Sequence, residues 1–138
     1  MSPSFVKKAF QYAYECISYF GLTDSVSLFY NDYNTYIDSD KVVSLINYIN
    51  SGTDYCDGIG MQSHLSTTYP SVAYYKAALQ KFANAGFVIQ ITELDVGNTS
   101  SSQQASYVYD LESAILSVKK SGGNITGSTW WGLYDTVS

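Results

Sequence analysis

The chain has 138 residues, 46% apolar and 14% charged, a balance that builds a packed core and sets one compact domain as the ceiling. Seven Lys, no Arg and twelve acidic residues give a net charge of −5, the wrong sign for neutralising a phosphate backbone, so no nucleic-acid partner is expected. No apolar run approaches the roughly 20 residues of a membrane span, and Met1-Ser2-Pro3-Ser4 lacks the basic and apolar segments of a signal peptide, so neither a membrane association nor a leader is expected here.

In chain order, residues 4–20 place Phe5, Ala9, Tyr12, Ala13, Cys16 and Phe20 three and four apart, after Ser2 or Ser4 as a cap. This spacing predicts a helix ending at Gly21. Residues 26–31, rich in β-branched and aromatic side chains, read as a buried strand. Residues 40–49 carry Val42, Val43, Leu45, Ile46 and Ile49 on one face, with Ser39 or Asp38 as cap and Gly52 beyond the end, a second helix. Residues 58–62 then read as a strand, 71–85 as a helix closed by Gly86, and 87–93 as a strand. After a loop and cap at 97–100, residues 103–120 form a longer helix through Ala105, Val108, Leu111, Ala114, Ile115 and Val118, stopped by Gly122 and Gly123. Residues 125–131 are the fourth strand, running into a polar tail at Asp135.

Strands separated by single helices are βα units with parallel strands, so the expected class is α/β. Two architectures use this order: an open doubly wound sheet and part of a (β/α)8 barrel. No GxGxxG or GxxxxGK[ST] loop follows any strand, which removes the usual reason for a nucleotide-binding sheet. Polar residues loaded at the strand ends favour the barrel, whose chemistry sits at the C-terminal face of its strands.

Those ends are Asn31-Asp32-Tyr33-Asn34, Gln62-Ser63-His64, Thr92-Glu93-Leu94-Asp95 and Thr129-Trp130-Trp131-Gly132. They contain the only His, both Trp and one of three Glu; Glu15 and Glu112 fall within helices, facing solvent. Glu93 follows an apolar run, where an ionised carboxylate must be hydrogen-bonded or charge-paired. Held so, it can act as a nucleophile, although a strand-end Glu can equally salt-bridge a nearby loop. His64, taken singly, has a structural alternative too. Asp95, two residues beyond Glu93, projects to the same face if the strand continues, and could orient His64 and keep it protonated. Of the adjacent tryptophans, Trp131 is the one expected to stack on a ligand, because Gly132 allows close approach, while Trp130 is expected in the helix-facing core. Gln62 and Asn34 are amides suited to sugar hydroxyls. The fourteen Tyr, six Phe and two Trp also suit carbohydrate, whose flat apolar ring faces pack on aromatic rings, though tyrosines fill cores as well. Cys16 and Cys56 allow at most one disulfide and have no metal-ligand spacing, so neither a metal nor another cofactor is expected.

At these residues the sequence resembles the xylanases of glycoside hydrolase family 10, in the second half of their (β/α)8 barrel. Leu28-Phe29-Tyr30-Asn31-Asp32-Tyr33-Asn34 resembles the family's fifth-strand motif and Gly58-Ile59-Gly60-Met61-Gln62-Ser63-His64-Leu65 the sixth. Ile91-Thr92-Glu93-Leu94-Asp95-Val96 resembles the seventh and Thr129-Trp130-Trp131-Gly132-Leu133-Tyr134-Asp135 the eighth. The resemblance implies Glu93 as catalytic nucleophile, His64 as its hydrogen-bonding neighbour, Asp95 in support of His64, and Tyr33, Asn34, Gln62 and Trp131 in the sugar cleft. It implies retaining hydrolysis of internal β-1,4 bonds of xylan. The family's acid/base Glu, at the end of the fourth strand, and its Trp after the eighth have no match in these residues. The expectation is therefore that 1–138 is a partial catalytic domain, strands five to eight of the barrel, which pairs with the missing N-terminal half, dimerises or aggregates. Its expected location is extracellular. Two other readings stay open: a non-catalytic half-barrel that binds xylan, and a small doubly wound domain with unrelated chemistry.

Overall fold

The computed structural model describes residues 2–97 and 100–132. Helix α1 (Pro3–Tyr19) opens on a proline, whose missing N–H is not needed in a first turn. Ser2 precedes it as expected, but its hydroxyl bonds Ser4 Oγ at 2.7 Å and leaves the helix uncapped. Strand β1 (Phe29–Asp32) begins three residues later than the sequence suggests, because Leu22 to Val26 close into a turn held by Ser25 and Val26 N–H groups on the Leu22 carbonyl. Helix α2 (Ser39–Ile49), strands β2 (Gly58–Met61) and β3 (His64–Ser66), and helix α3 (Val72–Asn84) follow. Ser71 caps α3 by accepting from the Tyr74 N–H at 3.2 Å. Strand β4 (Val88–Gly97), helix α4 (Ser101–Lys120) and strand β5 (Ile125–Trp130) complete the order. The expected loop at 98–99 and the tail at Leu133, Tyr134 and Asp135 lie outside the described residues.

Every strand pairing is parallel. β1 pairs with β2, β2 with the first half of β4 (Gly58 opposite Val88 through Met61 opposite Ile91), and β3 with its second half (His64 opposite Asp95 through Ser66 opposite Gly97). β2 and β3 are thus one strand interrupted at Gln62 and Ser63, where the sequence alone suggests a single short strand. Buried Ser63 takes a left-handed conformation (φ 65°), and its hydroxyl lies between the Met61 carbonyl and the Tyr75 hydroxyl at 3.1 and 2.7 Å. β5 then pairs on the far side of β4. With β2 and β3 counted as one strand, each strand lies beside its predecessor, and each helix packs on the next, α1 on α2, α2 on α3 and α3 on α4. A doubly wound sheet reverses its strand order part-way; this sheet does not. The chain folds as half of a (β/α)8 barrel.

The core lies between sheet and helices. Ile59 and Met61 of β2 and Ile89 and Ile91 of β4 are fully buried with Ile46 and Ile49 of α2, Leu79 and Phe82 of α3, and Leu111 and Val118 of α4. At the two sides this burial fades. Among the described residues α1 buries no side chain completely, and β1, expected as a buried strand, is half-buried at Phe29 and Tyr30 and exposed at Asn31 and Asp32, because it is an edge strand. Trp130, expected in the core, sits opposite buried Leu94 and so faces the helix side, yet it is 50% exposed, since no described element covers it. Glu15 is exposed as expected, whereas Glu112 is partly buried near Tyr75. Both cysteines are free thiols, Cys16 exposed and Cys56 buried.

Candidate active site

The site is built by an irregularity in β4. Ile89 and Ile91 are buried against the helices, and strict alternation would add residue 93 to that side. Instead burial resumes at Leu94 and Val96. Between Ile91 and Leu94 the strand takes three steps while β5 takes two, from Ser128 to Trp130, which is a β-bulge. The extra residue shifts the parity, so Thr92 and Glu93, adjacent in sequence, both reach the side chain of Asn31 on the neighbouring part of the sheet. The Thr92 hydroxyl donates to Asn31 Oδ1 at 2.7 Å, and Asn31 Nδ2 lies 3.4 Å from Glu93 Oε1. The main chain stays paired: Glu93 N–H donates to the Gln62 carbonyl at 3.1 Å, and Asp95 N–H to that of Ser63 at 3.3 Å.

Across the interrupted strand, His64 lies between two carboxylates. Its Nδ1 is 3.0 Å from Asp95 Oδ2 and its Nε2 is 3.2 Å from Glu93 Oε2. Carboxylates accept only, so both contacts are hydrogen bonds at once only when the ring carries two N–H groups, as the imidazolium does. The pKa of His64 is raised accordingly. Partial burial, the largest single influence, pulls it down, but the hydrogen bond and charge of Asp95 and then those of Glu93 together outweigh it. The His64 ring nitrogen at 3.2 Å from Oε2 and the Asn31 amide at 3.4 Å from Oε1 orient the Glu93 carboxyl group through both oxygens. That is what a carboxylate nucleophile requires. Trp131 meets the His64 ring edge-on, with centroids 5.9 Å apart, and its main-chain N–H donates to the Leu94 carbonyl at 2.9 Å.

The structure thus brings Glu93, His64, Asp95 and Trp131 together, as the sequence suggests, and joins Gln62 to them through its main chain. Gln62 N–H also donates to the Asp32 carbonyl at 3.2 Å, and among the described residues its side-chain amide makes no hydrogen bond. Tyr33 and Asn34 stand apart, in the turn after β1. Tyr33 is largely exposed; Asn34 has φ 53° and accepts at Oδ1 from the Tyr36 hydroxyl at 2.8 Å. Both line a pocket of ≈ 410 Å³ between β1 and α2, shared with Tyr30, Asp32, Ile37 and Leu45. Asn31 and Thr92 were missed as functional residues. Both stand in the strand-end clusters, but only the bulge makes them neighbours of the same carboxylate. Among the described residues no three His, Cys, Asp or Glu side chains are grouped to hold a metal ion, and no helix is long and apolar enough to cross a membrane.

The sequence profile of glycosyl hydrolase family 10 matches residues 1–138. The chain belongs to glycosyl hydrolase family 10. Among its family 10 relatives, the endo-1,4-beta-xylanase A of Butyrivibrio fibrisolvens is 53% identical over 131 residues, which cover 95% of this chain and 32% of that protein. The bifunctional endo-1,4-beta-xylanase XylA of Ruminococcus flavefaciens is 41% identical over 98% of this chain and 13% of its own length. The chain therefore spans about a third or less of these two relatives. The intracellular xylanase of Thermoanaerobacterium saccharolyticum superposes with a TM-score of 0.81 at 32% identity, over 99% of this chain and 42% of that one. A mutant of the same enzyme, complexed with xylotetraose, gives 0.80 at 31% identity, over 97% and 41%.

Proposed function

We propose that residues 1–138 are the nucleophile-bearing half of the catalytic domain of a retaining endo-1,4-β-xylanase. The observation that carries this is Glu93 at the bulge in the C-terminal half of parallel strand β4, hydrogen-bonded through Oε2 to a His64 that Asp95 also holds. In the reaction a Glu93 oxygen attacks the anomeric carbon, and the glycosidic bond breaks toward the leaving oxygen, which takes a proton from a second carboxylic acid. Water, deprotonated by that same group, then releases the sugar from Glu93. Retention needs the two carboxyl groups about 5–5.5 Å apart. Among the described residues the hydrogen bonds of the Glu93 network include no carboxylate but Asp95, which is engaged with His64. The general acid then comes from a complementary half-barrel seated on the open edges of β1 and β5. Trp131 and the side chains of Gln62, Tyr33 and Asn34 bind xylan around Glu93.

The test is release of reducing sugar from soluble xylan by this chain alone and mixed with a separately made N-terminal half, with Glu93→Gln as control. Release only in the mixture, abolished by Glu93→Gln, is expected. Undiminished release with Glu93→Gln overturns the nucleophile assignment, and release by the chain alone places a general acid within it. Silence in a mixture shown to associate favours a half-barrel that binds xylan without cleaving it. A polymeric substrate puts the work outside the cell, so the protein is proposed to be extracellular; immunodetection in washed cells but not in culture medium would overturn that.

A further inference from the structure

We infer that Thr92 is a positioning residue that holds Asn31 against the reacting carboxylate, an inference resting on Glu93 as the nucleophile. A carboxylate offers only lone pairs, so the Asn31 amide must turn its Nδ2 toward Glu93 Oε1, as it does at 3.4 Å. Its Oδ1 then needs a donor, and the Thr92 hydroxyl supplies one at 2.7 Å. Without that donor only the 3.4 Å contact to Glu93 holds the amide in this orientation. The β4 bulge makes the arrangement possible, since in a regular strand Thr92 and Glu93 would point to opposite faces and could not share one amide.

Gly60 completes the arrangement. It pairs with Asn31 across β1 and β2, and a Cβ there would lie 2.5 Å from Asn31 Oδ1 and 3.0 Å from its Cγ. The bare glycine lets the Asn31 side chain lie across β2 to reach β4. With His64 on Oε2 and Asn31 on Oε1, rotation of the Glu93 carboxylate is restrained from both sides. Thr92 and Gly60 touch neither substrate nor reacting atoms in this scheme; they act through Asn31.

In the full chain, an NMR pH titration should show the Asn31 side-chain NH2 signals following protonation of Glu93. Thr92→Val, nearly isosteric but without the hydroxyl, should abolish that coupling, and Thr92→Ser should restore it. Gly60→Ala should also abolish it, by forcing Asn31 aside, which keeps the inference testable if the Thr92 variant fails to fold. In the barrel completed with its N-terminal half, Thr92→Val should lower kcat roughly 10- to 100-fold with KM little changed. Coupling that persists in both Thr92→Val and Gly60→Ala overturns the inference. Loss of coupling together with undiminished activity of Glu93→Gln would instead reject Glu93 as nucleophile and leave the Asn31 geometry standing.

Discussion

His64 and Asp95 are register partners across β3 and β4 and are also hydrogen-bonded side chain to side chain, Nδ1 to Oδ2, at 3.0 Å. The backbone ladder and the ion pair therefore fix the same two residues. The imidazole cannot turn away from Glu93 without breaking either the short β3 strand or the contact to Asp95.

This pairing makes stability depend on pH with a definite sign. His64 has a folded-state pKa raised above its ordinary 6.5, so the native state binds the proton more tightly than the unfolded chain does. The stabilisation is fully present below that ordinary value and is lost as pH rises through the folded-state pKa. Urea unfolding between about pH 5 and 9 should show this decline in the parent, and His64→Gln should flatten it. Asp95→Asn should shrink it as well, because Asp95 is the largest of the influences that raise the pKa. A His64→Gln variant with the parent's pH dependence would contradict this account.

Two glycines should respond oppositely to the same methyl group. A Cβ at Gly58 would lie 2.1 Å from the Val88 carbonyl oxygen, so Gly58→Ala must push β2 away from β4. A Cβ at Gly127 meets nothing within 4 Å. Gly58→Ala should cost about 1–3 kcal/mol or more, as overpacking does, and Gly127→Ala well under 1 kcal/mol. Thermal melts of the two variants side by side decide the matter.

Asn50, just beyond α2, organises the approach to β2 with one side chain. Its Oδ1 accepts from the N–H groups of Tyr55 and Cys56 at 3.0 and 2.8 Å, and its Nδ2 donates to the Cys56 carbonyl at 2.8 Å. Asn50→Ala should destabilise the chain by about 1–3 kcal/mol, through partly buried groups left without partners. Asn50→Asp, keeping the acceptor but not the donor, should cost less. Equal stability of Asn50→Ala and parent in urea would refute the role.

Ile46 is fully buried among the helices and the sheet. Ile46→Ala should lower stability by about 2–5 kcal/mol through lost burial and the cavity left behind. Leu116, half-exposed on α4, serves as the comparison, and Leu116→Ala should be worth less than 1 kcal/mol.

Much of this was readable in the residues. The spacings of three and four in α2, α3 and α4 mark the faces that Ile46, Leu79, Phe82, Leu111 and Val118 bury. Gly21, Gly52, Gly86 and Gly122, expected to follow helix ends, all adopt positive φ. The convergence of Glu93, His64 and Asp95 was also legible, given a strand that continues past Glu93, and β4 does continue to Gly97. The bulge was not, because Thr92 and Glu93 are both polar and two polar residues in a row hide a change of parity. The break before β3 was equally hidden, since nothing in a serine announces the left-handed conformation of Ser63. Trp130 and β1 were misjudged for one reason: periodicity tells which way a side chain points, whereas burial also needs something on the other side to cover it.

The β4 bulge also means that the candidate nucleophile is placed by counting rather than by chemistry. If β4 ran on as a regular strand with its sequence unchanged, the glutamate would fall into step with Ile89 and point at the helices, and Leu94 and Val96 would turn out of the core. Deleting Thr92 would instead absorb the bulge, leaving the glutamate on its present face and Asn31 Oδ1 without the hydroxyl that donates to it. Alignments of this strand should be judged by its length between Ile91 and Leu94 before they are judged by identity.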